Sequence, residues 1–343
     1  MSEFRYEPVS GQWVIIAPER AARPTEFALD RRPRSEGFCP FCEGHEDKTP
    51  PEIDAIRTAG SLADAPGWLA RVVPNRFPAL RPDVVLREGG GPFTRHISGF
   101  GRHEVIIETP SHCLSPTEQP VACLHHVFTL YQRRLLALRS DRRIACVLIF
   151  KNSGPAAGAT IEHSHSQLVA LPVVPRGVQS ELWNATEFRK EYGQCVFCAM
   201  IEHEVSEGAR LLLENEDCLA FVPFASRCPF ETWILPKQHE SVLEESSPRT
   251  LESLGEMLYR VLNALDMALD RPAYNYIIHS EPFAVRGDVA YHWHVEVVPR
   301  VTSIAGFEWG SGCAINPVRP EDAAKLLKEK LTSRLPDQVE GGG

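Results

Sequence analysis

The feature that most constrains the fold of this chain is an internal repeat, which starts in each half from a Cys-X-X-Cys pair. Each pair is followed, in the same order, by a short apolar strand, a histidine, a long amphipathic helix, a buried strand and a His-X-His strand. The histidine and the His-X-His strand are 51 residues apart in the first half (His112 to His163) and 53 in the second (His239 to His292). This shared order and spacing predict a tandem duplication of one α+β unit.

The segments of each repeat differ in hydrophobic period, which separates strands from helices. Short apolar or β-branched runs predict strands at 104–108, 144–150, 163–171, 231–235, 274–278 and 292–298. Leucines at helical spacing predict helices at 117–139 and 249–270, and further helices are expected at 181–191 and from 320 onward. Polar or glycine-rich stretches predict loops at 30–36 and 88–91.

The length of 343 residues fits two such units. We place the boundary near position 178, at the start of the expected helix 181–191. This gives an N-terminal domain at 1–178, a C-terminal domain at 179–335 and a disordered tail at 336–343.

The composition excludes several classes of protein. The formal net charge is -9, which argues against a large nucleic-acid footprint. No run approaches the ~18–20 apolar residues that a membrane helix needs, and the N-terminus lacks the apolar segment of a signal peptide. We therefore expect a cytoplasmic protein without a membrane partner. Structural disulfides are rare in that compartment, so the ten cysteines are expected to be metal ligands, catalytic groups or buried thiols.

Each half offers the same four candidate metal ligands, two cysteines and two histidines. They are Cys39, Cys42, His112 and His163 in the first half, and Cys195, Cys198, His239 and His292 in the second. Two thiolates and two imidazoles complete the closed tetrahedron of structural zinc. The alternatives are a redox pair or a structural turn at each Cys-X-X-Cys, and His294 in place of His292 as the ligand. The other six cysteines share no spacing and are expected to be free thiols.

The densest candidate chemistry lies between Asn152 and Gln167. A glycine-rich loop there lets backbone N–H groups approach a phosphate. On the following strand His163, His165 and Gln167 share one face because successive side chains alternate. His165 is a candidate nucleophile towards phosphorus, and Gln167 a candidate donor to a non-bridging oxygen. The alternative for His165 alone is a core histidine with satisfied hydrogen bonds.

Together these motifs resemble the galactose-1-phosphate uridylyltransferase family of the histidine-triad superfamily. That family has a Cys-X-X-Cys zinc pair, a histidine after a proline-containing strand end and a His-Pro-His-X-Gln active site. The resemblance extends from about Tyr6 to about Leu331. It implies an α+β fold with a duplicated histidine-triad-like unit, in which two mainly antiparallel sheets form a half-barrel with helices packed on them. It also implies a homodimer.

The resemblance assigns roles by position. His165 corresponds to the histidine that becomes covalently nucleotidylated, and Gln167 to the residue that stabilises the intermediate. The residues implied in binding are Asn152, Gly158 and Thr160 around the phosphates, Arg20 and Arg23 near the phosphates, Asn75 at the nucleotide, and Phe307 and Glu308 at the hexose. In the family the last two act across the dimer interface.

Two features differ from the best-known members of the family. Ser164 stands where those members have proline, and the pair Cys195 and Cys198 indicates zinc where they have a carboxylate-and-three-histidine metal site. These features resemble a subgroup that includes plant ADP-glucose phosphorylase and some bacterial uridylyltransferases.

The resemblance predicts a nucleotidylyltransferase, specifically a UDP-glucose–hexose-1-phosphate uridylyltransferase with galactose 1-phosphate as acceptor. The reaction would be ping-pong through a nucleotidyl-histidine, with a nucleotide-sugar and a sugar 1-phosphate as partners and two structural zinc ions per chain. One alternative is an ADP-glucose phosphorylase, which transfers adenylyl to phosphate. The other is a non-catalytic, zinc-stabilised nucleotide-binding protein.

Overall fold

A computed structural model describes residues 1–22, 37–113, 115–285, 287 and 290–333. Arg23, the predicted loop at 30–36 and the predicted disordered tail at 336–343 lie outside these residues. None of the described helices is both long and apolar enough to cross a membrane.

The described residues form fifteen strands. They are β1 (Glu3–Glu7), β2 (Gln12–Ile16), β3 (Asp54–Arg57), β4 (Trp68–Pro74), β5 (Glu88–Gly89), β6 (His96–Ile97), β7 (Arg102–Ile107), β8 (Cys146–Ser153), β9 (His165–Leu171), β10 (Leu211–Glu214), β11 (Cys218–Phe221), β12 (Thr232–Pro236), β13 (Tyr274–His279), β14 (His294–Pro299) and β15 (Ala314–Asn316). The predicted loop at 88–91 is therefore partly wrong, because β5 pairs there with β6 in a two-stranded ribbon.

Six α-helices accompany the strands in the described part of the chain. They are α1 (Ala122–Leu138), α2 (Arg176–Tyr192), α3 (Val196–Glu207), α4 (Pro248–Leu269), α5 (Gly306–Ser311) and α6 (Pro320–Thr332). The helix predicted from 117 starts later, because Ser115 caps a separate 3₁₀ turn at Pro116–Glu118 and Pro120 follows it. In contrast, α4 starts close to its prediction, where Ser247 accepts a hydrogen bond from the Thr250 amide.

Ten strands form one sheet in the order β10-β11-β12-β14-β13-β8-β9-β7-β4-β3, and every pairing in it is antiparallel. The first five positions belong to the second repeat and the last five to the first, in mirrored order. The predicted α+β class is confirmed. The two expected antiparallel sheets are joined edge to edge through β13 and β8.

The register of this junction relates the two halves. Phe150 of β8 pairs directly with Ile277 of β13. On the strand that flanks β8 away from the junction, β9, Gln167 pairs with Phe150. On the strand that flanks β13 away from the junction, β14, Glu296 pairs with Ile277. Gln167 and Glu296 are the last residues of the two His-X-His-X-(Gln/Glu) segments, so the two halves meet in equivalent register around Phe150 and Ile277.

The two faces of the sheet are covered differently. One face packs on α1, α4 and α6 around a core that draws residues from both halves. The opposite face, called here the open face, carries Gln167, Phe150, Ile277 and Glu296. Its outer parts are covered by two smaller clusters, one containing Cys39 and the other containing residues of α3. Each Cys-X-X-Cys segment thus lies over the open face of its own half.

Candidate active site and metal centres

The first predicted metal cluster is assembled in the structure. The ligand atoms of Cys39, Cys42, His112 and His163 all lie within 4.8 Å of one another. Cys39 Sγ is 3.5 Å from His163 Nδ1, and Cys42 Sγ is 3.5 Å from His112 Nδ1 and 3.6 Å from His163 Nδ1. His163 Nε2 donates to the carbonyl oxygen of Thr109 at 2.8 Å, so its Nδ1 lone pair is directed at the two thiols.

The second cluster repeats this arrangement. Cys195, Cys198, His239 and His292 also bring their ligand atoms within 4.8 Å of one another. Cys198 Sγ is 3.4 Å from His239 Nδ1 and 3.7 Å from His292 Nδ1. His292 Nε2 donates to the Pro236 carbonyl at 3.0 Å, which matches the role of Thr109 in the first half. His292, and not His294, joins the cysteines.

The spacing of the donor atoms fits a tetrahedral ion with sulfur and nitrogen ligands. Bond lengths of about 2.3 Å for Zn–S and about 2.0–2.1 Å for Zn–N place sulfur and nitrogen about 3.6 Å apart in a tetrahedron. The sulfur–nitrogen distances in both clusters lie between 3.4 and 3.7 Å. Both clusters can therefore hold a metal ion with all four positions filled by protein.

The candidate nucleophile, His165, is oriented by the first cluster. It is the first residue of β9 and is 8% exposed. Its Nδ1 donates to the carbonyl oxygen of His163 at 2.7 Å, so Nε2 carries the lone pair. Burial lowers the pKa of His165, which keeps the imidazole neutral. Phe41 packs edge-on against the ring at 5.3 Å between centroids.

Gln167 lies beside His165 on the open face and is held by a histidine that the sequence analysis did not single out. His103 of β7 donates from Nε2 to Gln167 Oε1 at 2.7 Å. Asn75, the predicted nucleotide contact, lies 3.2 Å from the same Nε2 through its side-chain nitrogen. Asn75 and His103 line a cavity of about 440 Å³, with Pro74 and Leu80 among its apolar walls. The structure therefore groups Asn75, His103 and Gln167.

A buried polar network lies on the other side of β9, below the nucleophile. Lys151 donates to Glu108 at 2.6 Å, to Ser164 Oγ at 2.9 Å and to the His165 carbonyl at 3.1 Å. Ser164 Oγ also donates to Glu108 at 2.6 Å. Burial opposes ionisation of Glu108, but the Lys151 ammonium and these hydrogen bonds hold the pKa of Glu108 below its usual range. The residue that replaces proline, Ser164, is thus a member of this network.

The glycine-rich loop follows β8 and returns towards His165. Gly154 and Gly158 have φ values of 81° and 89°, in the left-handed region that favours glycine. A 3₁₀ turn at Pro155–Ala157 separates them. Asn275 donates to Asn152 Oδ1 at 2.8 Å and to the Ala157 carbonyl at 3.0 Å, which ties the loop to the second half of the chain.

In the second half, the sequence between β13 and His292 contains one glycine, Gly287, and a charged cluster lies beside the counterpart of His165. His294, the counterpart of His165, stacks on His279 at 4.6 Å and on Trp233 at 5.2 Å. Although burial favours the neutral form, the carboxylates of Glu181 and Glu296 raise the pKa of His279 to about 10. His294 is thus enclosed by aromatic rings and an ion-pair network.

The other predicted binding residues are Arg20, Thr160, Phe307 and Glu308. Arg20 is exposed in a 3₁₀ turn at Pro18–Ala22, and Thr160 is exposed in the glycine-rich loop. Glu308 of α5 lines a cavity of about 700 Å³ on the open face, which Asn152 also lines. Phe307 is 49% exposed.

Comparison with solved structures defines the class to which this fold belongs. A structure of uridylyltransferase superposes with a TM-score of 0.76 at 26% identity, covering 98% of this chain and 100% of that one. An ADP-glucose phosphorylase from Arabidopsis thaliana with bound ADP-glucose superposes with a TM-score of 0.82 at 34% identity, covering 96% and 99%. The duplicated α+β fold is therefore that of the uridylyltransferase-like proteins.

Sequence comparison identifies the family. The model for the galactose-1-phosphate uridyl transferase N-terminal domain matches residues 1–175, and a domain of unknown function, DUF4921, matches 121–340. ADP-glucose phosphorylase of Arabidopsis thaliana is 36% identical, with 95% of this chain and 92% of the relative covered. Galactose-1-phosphate uridylyltransferase of Thermotoga maritima is 29% identical, with 96% and 98% covered. The chain belongs to the galactose-1-phosphate uridylyltransferase family, which confirms the resemblance predicted from the motifs.

Proposed function

We propose that this protein transfers a nucleotidyl group from a nucleotide-sugar by way of a covalent nucleotidyl-histidine at His165. The observation that carries the proposal is the fixed tautomer of this residue. Because Nδ1 donates to the His163 carbonyl, the lone pair of Nε2 is available on the open face beside Gln167. A neutral, oriented imidazole is what attack on phosphorus requires.

The reaction consists of two displacements at the α-phosphorus. His165 Nε2 attacks this atom, the bond to the bridging oxygen of the β-phosphate breaks, and the sugar 1-phosphate leaves with the bonding electron pair. An acceptor oxygen then attacks the same phosphorus and releases His165. Gln167 donates to a non-bridging oxygen, and the amides around Gly158 face the phosphates.

For the donor and acceptor we propose ADP-glucose and inorganic phosphate, which would yield glucose 1-phosphate and ADP. Support comes from the ADP-glucose phosphorylase of Arabidopsis thaliana, which is 36% identical over 95% of this chain. Ser164 and the second Cys-X-X-Cys pair also resemble the subgroup that includes plant ADP-glucose phosphorylase. The resemblance carried by the sequence motifs instead favours UDP-glucose and galactose 1-phosphate. That pair stays the second candidate, supported by the uridylyltransferase of Thermotoga maritima at 29% identity.

We further propose that both Cys2His2 clusters hold zinc in a structural role. Zinc bound there would tie each Cys-X-X-Cys segment to the open face of its half. Neither cluster has a ligand position left for a substrate, so the chemistry is assigned to His165 and its neighbours.

Intact-protein mass spectrometry after mixing with each donor tests the proposal. ADP-glucose should add one adenylyl group, and inorganic phosphate should remove it with formation of ADP. His165→Asn should prevent the adduct, whereas His294→Asn, the matched change in the second half, should not. A uridylyl adduct formed only from UDP-glucose would favour the second candidate. If neither donor gave an adduct, the non-catalytic alternative would replace this proposal.

A further inference from the structure

His103 has two ring nitrogens with different partners, and together they determine which one carries the proton. The backbone amide of Ala79 donates to His103 Nδ1 at 3.2 Å. An atom that accepts this hydrogen bond holds a lone pair, so the proton of the neutral ring is on Nε2. A backbone N–H cannot reverse its polarity, which makes the tautomer a consequence of the fold.

The tautomer of His103 in turn orients the amide of Gln167. His103 Nε2–H lies 2.7 Å from Gln167 Oε1, which accepts the hydrogen bond. The reverse orientation would place the Gln167 NH2 group against an N–H donor, leaving two donors in contact. The oxygen of Gln167 is therefore directed at His103, and its NH2 group is directed away from His103.

Asn75 shows the same polarity in the neighbouring loop. Its Oδ1 accepts from the Phe77 amide at 2.8 Å, so its NH2 group is the part that lies 3.2 Å from His103 Nε2. Because Nε2 carries the ring proton, this contact joins two donors and is not a hydrogen bond, whereas the shorter contact with Gln167 Oε1 is one. The backbone amide of Asn75 donates to the His103 carbonyl at 2.8 Å, which anchors this loop to β7. His103 accepts from neither side-chain amide, so the NH2 groups of Asn75 and Gln167 can both donate to a phosphate or nucleotide placed beside them.

We propose that His103 is a positioning residue, which fixes the amide of Gln167 with its NH2 group towards the transferred phosphate. The inference rests on the proposed function, because it needs phosphate oxygens at that place. It goes beyond it by assigning a role to a residue that touches neither the metal clusters nor His165. The relay runs from Ala79 N–H to His103 and then to Gln167.

The proposed relay affects the rate through Gln167, and this distinguishes it from a general packing role. His103→Phe keeps an aromatic ring but removes both nitrogens, so the Gln167 amide is free to rotate. Loss of one oriented hydrogen bond corresponds to a rate about tenfold lower. His103→Gln restores an N–H donor and should retain most of the wild-type rate.

The test is a double-mutant cycle on the rate constant for formation of the covalent adduct in a single turnover with ADP-glucose. His103→Phe should slow adduct formation about tenfold when Gln167 is present and less than about twofold in a Gln167→Ala background. His96→Phe, at an exposed histidine of β6, is the matched control and should leave the rate unchanged. Thermal unfolding of each variant verifies that it is folded.

A measurement independent of activity examines the tautomer directly. In protein labelled with ¹⁵N-histidine, the His103 resonances, assigned by their loss in His103→Phe, should show the proton on Nε2. A proton on Nδ1 would overturn the proposal. The proposal would also be overturned if His103→Phe slowed adduct formation by the same factor in the wild-type and Gln167→Ala backgrounds. Equal slowing by His103→Phe and His103→Gln would overturn it as well. Absence of any adduct on the wild-type protein would instead refute the proposed function.

Discussion

His165 donates its Nδ1 proton to the carbonyl oxygen of His163, 2.7 Å away, while the His163 side chain belongs to the first metal cluster. The candidate nucleophile and a candidate metal ligand are therefore joined by one hydrogen bond within a three-residue segment. The second cluster has the same relationship with His294, at 3.1 Å, but there the counterpart of Gln167 is Glu296. If each cluster holds zinc, as proposed, loss of the two ions should have different effects.

The first prediction concerns removal of each metal separately. Cys42→Ser should reduce the metal content from two ions per chain to one and strongly slow adduct formation, because the segment that orients His165 loosens. Cys198→Ser should also remove one ion and lower the unfolding temperature, but should leave the rate closer to that of the wild type. Atomic emission spectroscopy and single-turnover labelling measure the two effects.

The control for this experiment is Cys123→Ser, at a half-buried thiol outside both clusters. It should keep two ions per chain. Equal slowing by Cys42→Ser and Cys198→Ser would contradict the assignment of separate roles.

The second prediction concerns the charge pair below the nucleophile. Lys151→Met leaves the fully buried carboxylate of Glu108 without its cation, which should cost about 3–5 kcal/mol in the free energy of unfolding. Adding Glu108→Gln removes the stranded charge and should recover part of that loss. Denaturant unfolding measures both values.

Lys190→Met is the matched control, since its ion pair with Glu187 is exposed. It should change the free energy of unfolding by less than about 1 kcal/mol. A double variant no more stable than Lys151→Met alone would show that the charge of Glu108 is not the cause.

The third prediction concerns pH and Asp266 of α4. Burial raises the pKa of Asp266 to about 6 from 3.8, so the folded state resists ionisation and loses stability as the pH rises between these values. Asp266→Asn removes this penalty and can still accept the hydrogen bond from Thr117. It should stabilise the protein by up to about 3 kcal/mol at pH 8 and by about half as much at pH 5.

Urea unfolding at the two pH values measures this difference. Asp83→Asn, at an exposed carboxylate, is the control and should stay within about 0.5 kcal/mol of the wild type at both. If Asp266→Asn raised the free energy of unfolding no more at pH 8 than at pH 5, burial would not be the cause of the raised pKa.

The fourth prediction separates backbone strain from function at two glycines. Gly158 in the glycine-rich loop and Gly193 after α2 have φ values of 89° and 78°, and both have room for a methyl group. Alanine at either position should cost about 1–2 kcal/mol in the free energy of unfolding. Only Gly158→Ala should also slow adduct formation, because only that loop belongs to the proposed phosphate site. Equal rates of adduct formation for the two variants would show that the glycine-rich loop is not part of the proposed site.

The two metal clusters could be predicted from the sequence because the duplication repeats every ligand at similar spacing. Because each ligand occurs once in each half, the two halves could be compared with each other as two related sequences would be. Two strands begin later than predicted: β9 starts at His165 and β14 at His294, since His163 and His292 turn towards the cysteines before pairing begins. Ligand geometry, which hydrophobic period does not encode, sets those boundaries.

His103 and the pair of Glu108 with Lys151 could not be predicted. His103 is a lone histidine on a strand, 24 residues from Ala79 and 64 from Gln167. Lys151 and Glu108 are 43 residues apart, and each lies in or beside an apolar run, where hydrophobic patterning gives no partner. Only the strand order β8-β9-β7 brings these groups together.

The junction of β8 with β13 also bears on how such a chain could arise. A lone five-stranded unit would leave the backbone N–H and C=O groups of β8 exposed along one edge, which invites pairing with a second molecule. Covalent fusion of two units covers both edges at once, in the manner of a dimer whose protomers share one chain. A fused partner that supplies the edge has no need of its own nucleophile. Such a chain can have Glu296 at the position equivalent to Gln167, and can enclose His294 in aromatic rings, without losing its architecture.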